Sequence, residues 1–389
     1  MKNSYDVIVV GAGPAGSRTA KHAALGGAKV LVLEKDREVG VPVRCAEGVG
    51  EIGMRLVSEP RERWIAQRIS GARLVAPNGN VVEICNEQFG YILNRKIFDY
   101  DLAQQAADAG AEIVTKAYVT GLIMGDDCVQ GVYANIMGKE TTVRSKIVVG
   151  ADGVESRVGR WAGLRTHFEM HDLETCAQVT AANVKLDANF CYFYFGNQLA
   201  PGGYAWAFPK GEGVVNIGLG ISGEYSGKMP AIKYLQRFLD ENFNNVAILT
   251  TVVGSVPCAP ALKQLVGNGV MLAGDAAHQS NPISGGGIIR AMIAGQIAGD
   301  VAAEAIQIDD VSKNQLNKYT KRWYRSEGKT HKLFYRLKEG IFKLTDEELN
   351  KTAHALKKLE PHKINLLEMF KIALINQPRL ILDAMKVFI

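Results

Sequence analysis

The chain begins with the run Tyr5-Asp6-Val7-Ile8-Val9-Val10-Gly11-Ala12-Gly13-Pro14-Ala15-Gly16. Residues 7–10 are continuously apolar and β-branched, as expected for a strand buried on both faces of a parallel sheet. A helical segment follows from Pro14 to about Leu25, and a second apolar strand at residues 29–33 ends on Glu34. The order strand, glycine turn, helix and strand predicts a βαβ unit and therefore an α/β fold.

This unit has the spacing of the dinucleotide-binding fingerprint, with an acidic residue at the end of the second strand. We expect Gly11 to make the tight turn, Gly13 to let the backbone approach a pyrophosphate, and Gly16 to let the helix pack closely on the strand. The helix N-terminus would offer amide hydrogens to the phosphates, and Glu34 would accept a hydrogen bond from the adenosine ribose. The fingerprint predicts a bound dinucleotide but does not separate FAD from NAD.

Three later motifs extend the pattern. A strand at 148–150 runs into Asp152-Gly153, and another at 270–273 runs into Gly274-Asp275. The segment Ser284-Gly285-Gly286-Gly287-Ile288 leads into a helix from about Gly287 to Ala305, and three consecutive glycines let a backbone lie against a flat ring. There is no second Gly-x-Gly-x-x-Gly in a strand-turn-helix context, so NAD(P)H has no domain of its own.

The rest of the chain divides by composition. Residues 66–93 alternate around the hairpin signal Asn78-Gly79, and residues 176–221 are strand-rich and aromatic. We predict a Rossmann-like domain (1–70, 91–165 and 252–310) with an inserted antiparallel β-sheet domain (71–90 and 166–251). A C-terminal helical region (311–389) follows, and its last stretch places these apolar residues on one face: Ile381, Ala384, Met385 and Phe388.

Charge and cysteine content limit the class of protein. The net charge is +5, but the part from Lys313 onward has 17 Lys or Arg and 8 Asp or Glu. This basic region indicates an anionic partner or a solvated helix face. The six cysteines are scattered without a Cys-x-x-Cys, so we expect no metal site. No signal peptide and no apolar run of ~18 residues is visible, so we expect a cytoplasmic protein that spans no membrane.

Two further segments carry a family resemblance. They are Pro42-Val43-Arg44-Cys45-Ala46-Glu47-Gly48, and Tyr204-Ala205-Trp206-Ala207-Phe208-Pro209-Lys210 with Gly218-Leu219-Gly220. With the two Asp motifs and the glycine run, they resemble the p-hydroxybenzoate hydroxylase-type FAD superfamily. Within it, they are most similar to the geranylgeranyl reductase family, especially its archaeal members that act on digeranylgeranylglycerophospholipids. The resemblance runs from residue 1 to about 310, and more loosely beyond.

The resemblance implies FAD as the cofactor and names the residues that would contact it. Asp275 would bind the flavin ribityl chain, and Asp152 would lie near the diphosphate and nicotinamide region. The full set of implied cofactor-binding residues is Gly11, Gly13, Ala15, Gly16, Glu34, Cys45, Ala46, Gly48, Arg95, Val119, Asp152, Asp275, Gly287 and Ile288.

The resemblance also implies an isoprenoid cavity. Tyr204, Trp206 and Phe208 alternate, so on a strand they share one face, and an aromatic wall buries a polyprenyl chain at about 25 cal/mol per Å² of apolar area. The implied substrate-binding set adds Pro209, Gly218 and Gly220. Ordinary sheet core remains the alternative for these aromatic residues.

The implied activity is reduction of the C=C bonds of geranylgeranyl chains, in archaeal membrane lipid biosynthesis. An isolated alkene has no carbonyl to activate it, so the pocket must be dry and the chain held close to the hydride source. Cys45 and Tyr204 are the candidate catalytic residues for the proton, although a lone cysteine is usually inert. The electron donor is NAD(P)H, ferredoxin or another reductant. The basic C-terminal region would contact an anionic membrane surface peripherally, and we expect no nucleic acid partner.

Three other functions compete with this one. A flavin-dependent aromatic hydroxylase shares the fold, but it usually has Gly-x-Gly-x-Asn after the Gly-Asp motif, and residues 284–289 depart from that pattern. A quinone-reducing electron-transfer flavoprotein dehydrogenase usually adds a cysteine cluster that this chain lacks. A non-catalytic, FAD-containing carrier of prenyl lipids would have the same cavity.

Overall fold

The computed structural model describes residues 4–364 and residue 372. The predicted apolar face from Ile381 to Phe388 therefore lies outside the described residues. The chain forms two compact units. The first contains the residues up to Val43, Arg95–Phe168 and Pro257–Lys332, and the second contains Arg44–Asn94, Glu169–Val256 and the described residues from Leu333 onward.

The strands of the described residues, in chain order, are β1 (Ser4–Val10), β2 (Val30–Leu33), β3 (Gly48–Gly50), β4 (Ile65–Val75), β5 (Val81–Leu93), β6 (Glu112–Val114), β7 (Ala117–Gly125), β8 (Cys128–Ile136), β9 (Lys139–Gly150), β10 (Leu173–Ala182), β11 (Phe190–Tyr194), β12 (Tyr204–Pro209), β13 (Val215–Ser222), β14 (Ala247–Pro257), β15 (Val266–Gly267) and β16 (Val270–Leu272).

The α-helices of the same residues are α1 (Pro14–Leu25), α2 (Glu51–Val57), α3 (Arg95–Asp108), α4 (Arg157–Trp161), α5 (Gly223–Ser226), α6 (Ala231–Asn242), α7 (Ile288–Gln307), α8 (Lys313–Trp323), α9 (Lys329–Ile341) and α10 (Asp346–Leu356). A π-helical turn, Tyr324–Gly328, lies between α8 and α9.

The first unit is built on a largely parallel sheet with the order β15-β16-β9-β1-β2-β6. Strand β1 is central and pairs in parallel with both β2 and β9. Its apolar residues 7–10 are buried, as their continuous apolar pattern predicts. Strands β7 and β8 extend the sheet from β9 as an antiparallel hairpin. This is the predicted Rossmann-like architecture.

Helices α1 and α7 pack against each other through glycines. A Cβ added at Gly295 would clash with the carbonyl oxygen of Ala15, and one added at Gly299 would lie 2.6 Å from the His22 Cβ. Neither helix could approach so closely with larger residues at these positions. The small-residue composition of the predicted helix after Gly287 is therefore a packing requirement.

The second unit contains an eight-stranded sheet with the order β14-β10-β13-β12-β11-β4-β5-β3. The predicted hairpin at Asn78-Gly79 joins β4 to β5, and Gly79 has φ +80°. The sheet is antiparallel, as predicted, at most of its pairings, but β4 and β11 pair in parallel. These two strands come from separate stretches of the chain, so no hairpin fixes their relative direction.

The boundaries of the two units differ from the predicted domain boundaries. Residues 44–70, which the sequence assigned to the first domain, lie in the second unit, because β4 pairs with β5 and β11. The helical region predicted from residue 311 also divides, with residues up to Lys332 in the first unit and the later described residues in the second. In residues 4–364, we find no helix with the length and hydropathy needed to cross a bilayer.

Candidate cofactor and substrate sites

The glycine turn between β1 and α1 is the first candidate site. Gly11 has φ +99°, and a Cβ there would clash with the Ala151 carbonyl oxygen. A Cβ at Gly16 would clash with the Gly11 carbonyl and lie 3.2 Å from the Val9 side chain. A Cβ at Gly13 would have nothing within 4 Å. Gly11 and Gly16 are therefore required by packing, whereas Gly13 borders open space that a phosphate could enter.

Glu34 holds this turn against the end of β2. One carboxylate oxygen accepts the Ala12 N–H at 2.8 Å, and the other accepts the Asp36 N–H at 2.9 Å. Each carboxylate oxygen has two lone pairs, so both can still accept a further hydrogen bond. The residue is positioned both to fix the loop and to accept a ribose hydroxyl.

The N-termini of α1 and α7 have no side-chain cap. Helix α1 begins after Gly13 and α7 begins after Gly287, and neither has an acidic residue in its first turn. The first amides of a helix lack intrahelical partners, so they can bind an anionic or carbonyl-rich ligand. Both termini therefore suit the diphosphate and the polar ring edge of a flavin dinucleotide.

The loop before α7 is held by Asn281, which the sequence analysis did not identify. Its side-chain oxygen accepts the Ile283 N–H at 2.9 Å, and its backbone pairs with Gly285 and Gly286 at 2.8 and 3.0 Å. The glycine run is thus ordered rather than a flexible linker. The available signal was the pair Asn281-Pro282, which favours turn initiation.

Asp275 and Gly287 are brought together in this unit. A Cβ at Gly287 would lie 3.2 Å from the Asp275 Oδ1. Burial raises the pKa of Asp275 to about 6, and the Arg95 guanidinium opposes that rise. Arg95 itself donates two hydrogen bonds to Asp99, each of 2.7 Å. A half-buried carboxyl that borders a glycine loop can bind a polyol chain, as the resemblance implied.

The two carboxylate oxygens of Asp152 have different surroundings. Its Oδ2 accepts the Val158 N–H at 3.0 Å at the start of α4, whereas its Oδ1 is buried with no hydrogen-bond partner among the described residues. Burial raises the pKa of this carboxyl. One oxygen therefore serves the fold, and the other needs a donor that a ligand could provide.

The remaining predicted contacts in this unit are Ala15, Val119 and Ile288. All three are buried, and the Val119 side chain lies in the core cluster of the parallel sheet, so Val119 can offer a ligand only its backbone. Open space at Gly13, a carboxylate at Glu34 and two uncapped helices together fit the phosphates, ribose and ring of FAD.

The second unit has an aromatic face on β12. Tyr204, Trp206 and Phe208 lie on one side of the strand, and their ring centroids are close to one another and to Phe193: 5.9 Å for Tyr204–Trp206 and 5.1 Å for Phe193–Phe208. The opposite face of β12 packs Ala205 and Ala207 into a core with α6. The predicted sharing of one face is confirmed.

Gly218 and Gly220 on β13 make room for this face. They pair with Trp206 and Tyr204 respectively. A Cβ at Gly218 would lie 2.5 Å from the Trp206 ring, and one at Gly220 would lie 3.1 Å from the Cys176 Sγ. The indole therefore lies directly on the backbone of β13. Pro209 ends β12 and is buried.

The predicted residues Cys45 and Ala46, in the loop before β3, and Gly48, the first residue of β3, also belong to the second unit. The Cys45 carbonyl accepts a hydrogen bond from Gln178 at 3.0 Å, and a Cβ at Gly48 would lie 3.1 Å from the Phe208 ring. The loop therefore runs along the aromatic face. The other predicted cofactor contacts lie in the first unit.

Glu47, between Ala46 and Gly48, is buried and has φ +71°. Its carboxylate accepts hydrogen bonds from Lys210 and, at 2.7 Å, from Asn216. A non-glycine residue in the left-handed region is unfavourable and persists only when its surroundings hold it. These contacts supply that restraint.

The sequence analysis missed the polar residues of β10 and β13 that line this face, namely Glu174, Gln178, Thr180 and Asn216. A signal for the first three was present. Residues 174, 178 and 180 are polar, and they alternate with Ala177, Val179 and Ala181, which the structure places in the core on the other face.

Glu174 is a buried acid on this strand. Neither carboxylate oxygen has a hydrogen-bond partner in the described part of the chain. Burial raises the pKa of Glu174 to about 8, against the opposing charge of Lys338. The Lys338 ammonium lies 3.1 Å from the Asp172 carboxylate, which neutralises much of its charge. Glu174 is therefore mostly protonated at neutral pH.

A group of potential metal ligands lies nearby, formed by His171, Asp172 and Glu339, with ligand atoms within 4.8 Å of one another. The Lys338 ammonium donates a hydrogen bond to Asp172. It already supplies the positive charge that a cation would bring, so these residues carry no argument for a metal.

Comparison with known proteins extends these observations. A family model for the geranylgeranyl reductase catalytic domain matches residues 172–256, and one for an FAD binding domain matches residues 4–204. The chain is 47% identical, over 95% of its length and 91% of the relative, to digeranylgeranylglycerophospholipid reductase 1 of Methanococcoides burtonii. It is 46% identical, over 100% and 97%, to the digeranylgeranylglycerophospholipid reductase of Methanosarcina acetivorans.

Comparison with solved structures gives a similar result. A geranylgeranyl bacteriochlorophyll reductase-like protein from Thermoplasma acidophilum superposes with a TM-score of 0.93 at 33% identity, covering 99% of both chains. A flavin-dependent brominase superposes with a TM-score of 0.70 at 19% identity, covering 98% of this chain and all of the other. The brominase shares the fold alone.

The dinucleotide turn and the uncapped helices, with the matching FAD domain, define an FAD-dependent oxidoreductase. Relatives at 41–47% identity over nearly the whole length narrow this class. The chain belongs to the digeranylgeranylglycerophospholipid reductase family. The predicted fold class, cofactor and family are thereby confirmed.

Replacing Glu174 with glutamine tests its protonation state. The folded-state pKa of about 8 lies above the ordinary 4.5, so the folded protein retains a proton that the unfolded chain has lost. Wild-type stability should therefore fall as pH rises from 5 to 8, by on the order of 4 kcal/mol. Glu174→Gln keeps the shape and removes this titration, so its free energy of unfolding should fall much less.

Denaturant unfolding at pH 5 and pH 8 measures this difference. Glu169→Gln, at an exposed site on the same segment, is the matched control and should follow the wild type. If Glu174→Gln and wild type lose the same stability between the two pH values, Glu174 is not a neutral buried acid.

Proposed function

We propose that the protein is an FAD-dependent reductase that saturates the C=C bonds of geranylgeranyl chains, with digeranylgeranylglycerophospholipids as its substrates. The observation that carries the proposal is the aromatic face of β12 lying on the glycines of β13. The names of the full-length relatives support the same substrate. A face of rings on which the lining acid Glu174 is mostly neutral suits an apolar chain better than a polar aromatic substrate.

The chain's own residues bind and orient the alkene. An isolated double bond offers no polar group to hold, so its position depends on shape and on burial of apolar area. Phe193, Trp206 and Phe208 would exclude water around it. When bound and reduced by an electron donor, FAD would supply a hydride for one alkene carbon and would return to its oxidised form. A proton then adds to the other carbon.

Cys45 and Tyr204 are our candidates for the proton. Tyr204 is half-buried on the aromatic face, and Cys45 lies on the loop that Gln178 joins to that face. Both groups carry an acidic hydrogen beside an apolar surface. The sequence has one dinucleotide fingerprint in a strand-turn-helix context, so NAD(P)H has no domain of its own. Electrons would come from NAD(P)H, ferredoxin or another reductant.

We further infer that the protein associates peripherally with anionic membrane surfaces. Five exposed cations, Lys318, Lys321, Arg325, Lys329 and Lys332, recur every three or four residues from α8 into α9. None of them forms an ion pair with another residue in the described ranges. Leu316, Tyr319 and Trp323 of α8 are buried, so the cations lie on the opposite, solvent-facing side. A row of unpaired cations suits the headgroups of anionic lipids.

The reaction is tested by anaerobic incubation of dithionite-reduced protein with digeranylgeranylglyceryl phosphate, followed by mass spectrometry. We expect a gain of two hydrogens for each double bond reduced and reoxidation of the flavin. Dithionite removes any dependence on the natural donor. Reoxidation with unchanged lipid mass would contradict the proposal. A lipid that binds without reoxidising the flavin would identify a carrier, and oxygen-dependent turnover of a phenol would identify a hydroxylase.

The membrane contact is tested with the triple variant Lys318→Gln, Lys321→Gln and Lys329→Gln. Each lysine near an anionic surface contributes about 1 kcal/mol, so flotation with phosphatidylglycerol vesicles at low salt should show roughly 100-fold weaker binding. Lys139→Gln, Lys185→Gln and Lys228→Gln remove the same charge at other exposed sites and should bind much like the wild type. Equal losses in the two triple variants would show only a net-charge effect and would remove this surface from the proposal.

A further inference from the structure

Gln178 on β10 connects two parts of the candidate substrate site through one buried side chain. Its Nε2 donates a hydrogen bond to the Cys45 carbonyl at 3.0 Å, and its Oε1 accepts one from the Trp206 Nε1–H, also at 3.0 Å. We propose that Gln178 is a positioning residue for the reduction, which holds the Trp206 indole and the Cys45 peptide in a single geometry. The proposal rests on the proposed function.

The orientation of this amide is fixed by its partners. The Cys45 carbonyl can only accept, and the indole N–H can only donate. A flipped amide would bring two donors together at Trp206 and two acceptors together at Cys45, and both hydrogen bonds would be lost. A buried polar group without a partner costs about 1–3 kcal/mol, so a single orientation is strongly preferred.

Packing also restricts the Trp206 indole, in addition to its hydrogen bond with Gln178. Its ring lies on the backbone of β13 at Gly218, where a Cβ would come within 2.5 Å. Gly218 fixes the depth of the ring, and Gln178 fixes the direction of its N–H. The Trp206 ring, which lies between Tyr204 and Phe208 along β12, is therefore held from two sides.

The loop has a second anchor that does not involve Gln178. Asn216 donates to the Glu47 carboxylate at 2.7 Å and accepts from Thr180 at 2.9 Å, and Lys210 also donates to Glu47. The Cys45 thiol also accepts from the Glu47 N–H at 3.2 Å, so removal of the Gln178 amide would loosen the Cys45 carbonyl while Glu47 stays in place. The expected change is local, at the residue that the family resemblance places beside the flavin.

This coupling matters because the reacting carbon must be placed accurately. A displacement of about 1 Å costs on the order of 100-fold in rate. An isoprenoid chain would touch the Trp206 ring, and the Cys45 peptide borders the same face. The Gln178 amide bonds to both, so it keeps the Trp206 ring and the Cys45 loop in a fixed relative position while successive double bonds enter the site.

Three substitutions separate the two ends of the amide. Gln178→Leu removes both hydrogen bonds. Trp206→Phe removes the indole N–H and leaves the bond to Cys45. Gln178→Glu behaves as a switch, because a protonated carboxyl can donate to Cys45 and accept from Trp206, whereas the ionised form can only accept. Burial raises the pKa of an introduced carboxyl, so the protonated form should persist at mildly acidic pH.

Charged and titratable groups near residue 178 affect the pKa of a carboxyl introduced there. Among charged groups in the cluster, Lys210 is held by Glu47. Glu174 and Cys176 lie on the same face of β10, and burial raises the pKa of both Glu174 and Cys176. We therefore compare each variant with wild type at the same pH, so that titration of these native groups cancels.

The first measurement is the alkylation rate of Cys45 by iodoacetamide in the holoprotein, resolved by peptide mass spectrometry. Relative to wild type at each pH, Gln178→Leu should react about tenfold faster, because one hydrogen bond that restrains the Cys45 peptide is lost. Gln178→Glu should match wild type at pH 6 and Gln178→Leu at pH 9. Trp206→Phe should stay within about twofold of wild type.

The second measurement is steady-state reduction of the geranylgeranyl lipid. In Gln178→Leu, kcat should fall by roughly 100-fold, with KM changed by less than about threefold, because chain burial is retained. Gln264→Leu, which removes an exposed glutamine amide that donates to the Val266 carbonyl, is the matched control and should keep both parameters.

The two measurements distinguish failure of the positioning role from failure of the proposed function. If Gln178→Leu leaves Cys45 alkylation and kcat within twofold of wild type, or if Gln178→Glu shows no dependence on pH relative to wild type, the positioning role is refuted. Should Gln178→Leu fail to fold, Gln178→Glu decides, since its protonated form keeps both hydrogen bonds. A wild-type protein that reduces no geranylgeranyl lipid contradicts the proposed function alone, because the alkylation rates report on Gln178 without a substrate.

Discussion

The first unit depends on one close contact, between Gly16 of α1 and the carbonyl of Gly11. No side chain fits there, so α1 can begin at Pro14, only three residues after β1 ends, and its first amides face the space beside Gly13. The same closeness recurs between α1 and α7 at Gly295 and Gly299. The cofactor site is therefore a consequence of backbone packing. Small residues let α1 and α7 pack closely, and both helices have N-termini without a side-chain cap.

The second unit uses glycine for a different purpose. At Gly218 the missing side chain is replaced by the Trp206 ring, which packs on the strand instead of standing away from it. The ring remains aligned because its N–H reaches Gln178. The apolar surface thus needs a buried polar residue to orient it. Such a residue is stable only because each end of its amide has a partner.

Sequence alone predicted the first unit well, since its signals are local. The apolar run at 7–10, the glycine spacing and Glu34 lie within one βαβ unit, and α1 begins and ends at the predicted residues. The boundary of the second unit was missed, because β4 gains its partners from β5 and from β11, more than a hundred residues later. Gln178 and Asn216 were missed for a similar reason. Their partners in the loop Cys45–Glu47 are more than 130 positions away.

Two buried glutamates of the second unit, Glu47 and Glu174, are accommodated in different ways. Glu47 has a lysine and an asparagine as donors, and this pairing lets a residue with positive φ hold the loop. Glu174 has no donor in the described ranges, and the nearby Lys338 is engaged by Asp172, so burial favours the neutral form. Between them along β10 and β13, the face carries Gln178, the glycines and the aromatic rings. The charges that this unit buries are thus paired or neutralised at the ends of the face. An apolar chain lying across its middle would meet no uncompensated charge.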